Sequence, residues 1–274
     1  MYFAVRHETR YRYDVPVSLG PHTLRLTPQP DGIQLHRHAI HATPQPVAQR
    51  ALWDAHGNLV TELQFVGSCQ ELQIVSEFEL DTLQPRQPML QLRLPLARDF
   101  HLPGELYGLG SAAPSVRDFA ADIANQVSHD VLGFLDRLAY VLFSTFERGV
   151  RTSGNAHTAA DTLASRSGAC RDLTVLFMEA CRSQGIASRF VSGYQASAQT
   201  PDNQSYLHAW AEVHVPGVGF FGWDPMHGVR VGEGHVKLCA APEQLATMPV
   251  EGGFSFAGTT VRSTLDHSLR VAAR

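Results

Sequence analysis

The run from Gly168 to Pro225 constrains this chain most, because one helical period there gives way to two strand periods separated by turn residues. Leu173, Leu176, Phe177, Ala180 and Cys181 fall at i, i+3, i+4, i+7 and i+8, one face of a helix that Gly185 closes as its C′ residue. Ile186 to Tyr194 reads as a buried strand, and Gln195 to Ser205 as an exposed loop around Pro201-Asp202-Asn203. Leu207 to Val215 then alternates strictly. Leu207, Ala209, Ala211, Val213 and Val215 point one way; His208, Trp210, Glu212 and His214 point the other. Pro216-Gly217-Val218-Gly219 turns the chain into Phe220 to Pro225, which makes a hairpin. The fold class expected from this run is α+β, with a helix packed on an antiparallel sheet.

The rest of the chain divides around that block. Residues 1–95 read as short strands cut by Pro16, Gly20-Pro21 and the turn Asp54-Ala55-His56-Gly57-Asn58, the pattern of a β-sandwich. Residues 96–150 begin with a Pro- and Gly-rich connection (the text is rich in both from Leu94 to Ala113) and continue into helices. Val116, Phe119, Ile123 and Val127 form one helical stripe, with Ser115 as its expected N-cap. Val131, Leu135, Leu138, Leu142 and Phe146 continue at the same period. Residues 151–274 hold the chemistry and a C-terminal extension with possible strands at Phe254–Phe256 and Ser268–Val271.

Composition narrows the function classes. The 22 Lys and Arg residues stand against 26 Asp and Glu, which argues against a nucleic-acid partner. The N-terminus meets charge at Arg6 before an apolar run of signal-peptide length, and Val131–Phe146 contains Asp136 and Arg137, so neither a leader nor a membrane partner is expected. Cys69, Cys170, Cys181 and Cys239 include no CxxC pair, which predicts free thiols, a cytoplasmic setting and no structural zinc. Lys237 is the only lysine.

Cys170 opens the patterned helix, where uncommitted backbone N–H groups and the helix dipole favour a thiolate. A cysteine nucleophile needs a base to take its proton and a carboxylate or amide to orient that base. His208 on the polar strand face and Asp224 at the hairpin end supply both in chain order. Cys181, on the apolar face, reads as structural.

Gly168-Ala169-Cys170-Arg171-Asp172, His208-Ala209-Trp210-Ala211-Glu212-Val213 and Gly222-Trp223-Asp224-Pro225 resemble the three core motifs of the bacterial transglutaminase-like superfamily. Phe190-Val191-Ser192-Gly193-Tyr194 is similar to the strand after its catalytic helix. His7-Glu8-Thr9-Arg10-Tyr11-Arg12-Tyr13, Leu24-Arg25-Leu26-Thr27-Pro28 and the turn at Asp54–Asn58 resemble the β-rich domain that precedes the core in one bacterial branch. The resemblance implies a papain-like core, with Cys170 as nucleophile, His208 as base and later acid, and Asp224 as orienting carboxylate. It departs from the pattern at Met226-His227-Gly228, where many relatives have a small polar residue and Asn before Gly.

The implied activity is acyl transfer on a peptide or carboxamide carbonyl through a thioester, with a peptide or protein substrate and no cofactor or metal. Water would resolve the thioester by hydrolysis, an amine by transamidation. The reading from another class is an idle core kept as a peptide-binding or assembly module. Among the remaining polar groups, His36, His38 and His41 read as a solvated strand face, with His36 and His38 on one side. Trp210 and Trp223 read as packing, and Glu212 and His214 as cleft-lining or plainly exposed. Asp172 reads as a helix cap or a partner of Arg171 or Arg189.

Overall fold

The computed structural model describes residues 1–84, 93–94, 112–196, 205–215, 219–258 and 260–274. Residues 95–111 of the expected Pro/Gly-rich connection, the loop tip around Pro201-Asp202-Asn203 and the turn Pro216-Gly217-Val218 lie outside them.

The N-terminal strand-rich region is built on one long strand, β1 (Tyr2–Leu24). Buried and half-buried residues alternate along its first half, as a period-2 pattern requires. β2 (Ile33–Thr43), β3 (Ala48–Trp53), β4 (Leu59–Gln64) and β5 (Cys69–Thr82) complete the region's own strands. Their order is β2-β5-β1-β4-β3, in a curled antiparallel sheet. β1 pairs with β5 over its first half and with β4 at its end, and the register shifts between Arg12 and Val17, around Pro16.

Four α-helices follow among the described residues. α1 (Pro114–Gln126) starts two residues earlier than expected. Its N-cap is Ala113 rather than Ser115, because the fixed φ of Pro114 suits the first helical position. Ser128 and His129 adopt positive φ and end the first stripe before α2 (Val131–Thr145), whose N-cap Asp130 accepts a hydrogen bond from the Gly133 N–H at 2.6 Å. The two-residue strand β6 (Glu147–Arg148) precedes α3 (Ala159–Ser165), and β7 (Ser167–Gly168) leads into α4 (Cys170–Ser183). All five residues of the expected α4 face are buried, and Gly185 follows at φ 80°.

β8 (Ser188–Gln195), β9 (His208–Val215) and β10 (Gly219–Asp224) form the expected antiparallel run. β11 (Val229–Arg230) and β12 (His235–Ala241) extend it to a five-stranded sheet ordered β11-β10-β9-β8-β12. Ala209, Ala211, Val213 and Val215 join Leu173, Leu176 and Phe177 in one core, so the apolar face of β9 is the one that α4 covers.

The β12 end of this sheet meets the N-terminal region. Tyr194, Val236 and Leu238 share a core with Phe3, Phe78 and Leu80. The turn Asp54–Asn58 serves this junction: Asn58 donates from Nδ2 to the Ala240 carbonyl at 2.9 Å and accepts from the Ala240 N–H at 2.8 Å. Gln29 does the same work nearby, donating to the Leu238 carbonyl at 2.6 Å. Both side chains satisfy backbone groups along β12, the sheet's edge strand. The chain then returns to the N-terminal sheet, where β13 (Val250–Ser255) and β14 (Ser263–Ala273) both pair antiparallel with β1.

Candidate active site

Cys170 is the first residue of α4, and its position is fixed by its neighbours. Asp172, buried, accepts from the Ala169 N–H at 2.8 Å through one carboxylate oxygen. Through the other it accepts from Arg151 Nη2 at 2.6 Å and from the His157 N–H at 2.8 Å. The expectation of a cap is met, while the cation is Arg151 rather than Arg171 or Arg189. Arg151 lies in the segment before α3, which carries no pattern that would have placed it here.

The hairpin register puts Trp223 opposite Ala211, so Asp224 falls diagonally across from His208 on the same face. His208 Nε2 lies 2.7 Å from Asp224 Oδ2. The other imidazole nitrogen, Nδ1, is therefore the one available to Cys170, whose thiol shares a hydrogen bond with this ring. Burial alone would raise the Cys170 pKa, but the hydrogen bond and charge of His208 outweigh it, and the thiol sits below its ordinary value. Burial would likewise lower His208. The Asp224 charge and hydrogen bond prevail, and the ring is pushed up to about 10. Asp224 opposes its own burial in the same way and is held well below the usual carboxylate range. The three groups favour a thiolate–imidazolium pair backed by a carboxylate.

The other thiols contrast with Cys170. Burial raises Cys69, pushes Cys239 up to about 12 and drives Cys181 well above its usual value.

Asp224 also holds two histidines that local pattern could not reveal. His227 Nδ1 is 2.9 Å and His235 Nε2 is 3.1 Å from the same Oδ2, while the Met226 N–H donates to Oδ1 at 2.9 Å. His227 occupies the position where the sequence departs from the family pattern. His235 comes from β12, a strand with no motif of its own. The ligand atoms of His208, Asp224 and His227 lie within 4.8 Å of one another, close enough for a metal ion, and are already engaged with each other through hydrogen bonds.

Trp210 is the platform beneath this cluster. It is buried, packs edge-on to His235 with ring centroids 5.2 Å apart, and lies across glycines on both neighbouring strands. A Cβ at Gly193 would fall on Trp210 and the Val236 carbonyl, and one at Gly222 would fall on Val231 with the Trp210 ring 3.3 Å away. The motif's tryptophan is thus packing, and so is Trp223, whose Nε1 donates to Asp136 of α2 at 2.9 Å.

Glu212 departs from both expectations for it. It is buried between Arg189, whose Nη2 is 2.6 Å away, and Lys237, whose Nζ is 3.1 Å away. His36 and His38 do not share one face, because a register shift between Leu35 and Arg37 separates them. His36 pairs with Asp81 at 2.7 Å, while the His38 ring lies against Phe78.

A cleft of about 380 Å³ opens beside Cys170 and His208. Its walls come from both parts of the molecule: Arg151, Arg171 and Phe190 from the core, and Tyr11, Leu265 and Leu269 from β1 and β14.

Residues 3–81 match the model of the bacterial transglutaminase-like N-terminal region, and residues 117–225 match that of the transglutaminase-like superfamily. The chain belongs to the transglutaminase-like superfamily. Cys170, His208 and Asp224 all lie within the second matched segment of this transglutaminase-like chain. An uncharacterised protein of Mycobacterium tuberculosis is 27% identical over 91% of the chain and 86% of its own length. One of Mycobacterium leprae is 24% identical over 93% and 94% respectively. A Cytophaga hutchinsonii protein, provisionally described as a cysteine protease, shares the transglutaminase-like fold at a TM-score of 0.72. It is 17% identical, with 99% of this chain and 90% of that one covered. Among the described residues, no helix of the transglutaminase-like chain is long and apolar enough to cross a membrane.

Proposed function

We propose that this chain is a cysteine enzyme that transfers the acyl group of a peptide or carboxamide through a thioester on Cys170, with water as the usual acceptor. The observation that carries this reading is the Cys170 thiol. It is held below its ordinary pKa by an imidazole that Asp224 orients, and it faces a cleft. The thiolate sulfur attacks the carbonyl carbon, and the oxyanion meets the Cys170 backbone N–H at the start of α4. The carbon–nitrogen bond breaks as His208 passes its Nδ1 proton to the departing amine. Neutral His208 then takes a proton from water, hydroxide adds to the thioester, and the acid leaves as the thiolate returns. Asp224 keeps Nε2 protonated throughout, so the nitrogen facing sulfur is the one that exchanges protons.

The four thiols stand unpaired, which suits a reducing, cytoplasmic setting. A library of peptides and glutamine amides, screened for released amine or ammonia, tests the reading. Turnover by the native chain and none by Cys170→Ala is the expected result; turnover that survives this replacement would overturn it.

A further inference from the structure

Charge in the cleft is one-sided. Arg151 and Arg171 line it, and among the described residues no aspartate or glutamate does. The two guanidinium groups are not equivalent. Arg151 is answered from behind by buried Asp172 at 2.6 Å. Arg171, the residue next to the nucleophile, has no carboxylate within ion-pair distance among the described residues. Its Nη2 donates to the Ser153 carbonyl at 2.6 Å, and its Nε is buried without a hydrogen-bond partner.

This half-buried guanidinium feels the nearby charges of Cys170 and Asp172, but its only hydrogen bond among the described residues is to one backbone carbonyl, so its fork is left without a carboxylate in contact. Its planar fork suits a carboxylate, which accepts two parallel hydrogen bonds. The thiolate of Cys170 lies close enough to feel this charge, but a single sulfur hydrogen-bonded to His208 does not offer the paired oxygens of a carboxylate. The rest of the cleft is largely apolar, through Phe190, Leu207, Met248, Leu265 and Leu269. Its other polar lining groups, Gln195, Gln244 and Ser192 among them, carry no negative charge, so among the described residues a cationic neighbour meets no carboxylate there.

We propose that Arg171, with Arg151 beside it, selects acyl donors that carry a carboxylate next to the scissile bond. This inference rests on the acyl-transfer reading above. The carboxylate could belong to an acidic side chain or be the free α-carboxylate of a peptide's C-terminus, and the test separates these sources.

One peptide set carries Glu, Gln or Lys on either side of the scissile bond, with both termini blocked. A second has neutral side chains and a C-terminus either free or amidated. Carboxylate-bearing members of at least one set should exceed their amide isosteres roughly tenfold or more in kcat/KM. The set that shows the preference identifies the source. Raising ionic strength should weaken the preference, Arg171→Gln should bring the ratio close to one, and Arg171→Glu should turn it towards Lys in the blocked set. Alkylation of Cys170 in each variant reports whether the site is still assembled.

Equal or better turnover of the amides by the native chain would overturn this inference and leave the acyl-transfer reading standing. So would an undiminished ratio in Arg171→Gln. No Cys170-dependent turnover of any peptide would overturn both.

Discussion

His208 presents Nε2 to Asp224 Oδ2 at 2.7 Å and turns its other nitrogen towards Cys170, so one buried carboxylate governs the ionisation of the thiol. The sign of the resulting pH dependence follows from the two shifts. Cys170 is lowered, so its thiolate persists at pH values where ordinary thiols, titrating near about 8.5, are protonated. His208 is raised to about 10, so the imidazolium is lost only in alkali. Acylation should therefore hold between these limits and fall on both sides. Replacing Asp224 with Asn removes the charge that raises His208. Peptide acylation should fall by roughly three to four orders of magnitude, and the midpoint of Cys170 alkylation against pH should move upwards. An unchanged midpoint would mean that Asp224 does not set the ionisation.

Iodoacetamide at neutral pH offers a race among the four thiols. Cys170 should be alkylated first, since burial raises each of the other three. Mass spectrometry after brief labelling locates the adduct. First reaction at Cys69, Cys181 or Cys239 would contradict the assignment of the nucleophile.

Glu212 shares a strand face with His208 yet belongs to a different network. Replacing it with Gln leaves Arg189 and Lys237 without their buried counter-charge, at a cost of roughly 3 kcal/mol. The melting temperature should fall by roughly 5–10 °C, while the acylation rate per folded molecule changes little. A rate loss matching that of Asp224→Asn would place Glu212 at the imidazole instead.

That pair of carboxylates shows what could be read from the chain and what could not. Period-2 alternation put His208 and Glu212 on one face, and pairing about the hairpin turn put Asp224 within a few residues of His208; both placements hold. Alternation could not say which acid reaches the ring, because that depends on a hairpin register set across Gly219 and on Arg189 and Lys237 arriving from β8 and β12. His235 was hidden for the same reason. Its contact with Asp224 joins strands that are not adjacent in the sheet, and no local period encodes it. The α4 face was fully legible, since one helix records its own burial in its own spacing. The β13 and β14 pairings with β1 were not, because they join the two ends of the chain.

Gly193 tests the support under the site. Its φ is ordinary, so an added methyl group matters only through the atoms it meets: the Val236 carbonyl and the Trp210 ring. Gly193→Ala should cost about 2 kcal/mol or more and slow Cys170 alkylation, because Trp210 carries His208 and His235. Gly232→Ala, where a Cβ meets nothing within 4 Å, should leave both measurements near those of the native chain.

The sole lysine bears on transamidation. Lys237 is tied to Glu212, and the α-amino group of Met1 donates to the Thr82 carbonyl at 3.2 Å. Lys237, the only side-chain primary amine, is thereby held back from a thioester on another copy. The chain incubated alone with a glutamine substrate should form almost no covalent multimers. Ladders on a denaturing gel that survive reduction and vanish in Cys170→Ala would contradict this.

The thioester itself is the most direct object to measure. The protein is mixed with an activated acyl ester, quenched in acid within the first turnover and weighed intact, and the adduct is then mapped to a peptide. One acyl group on Cys170 is predicted, abolished by Cys170→Ala and formed far more slowly by Asp224→Asn. An unmodified chain while product accumulates, or an acyl group on any other residue, would contradict covalent catalysis by Cys170.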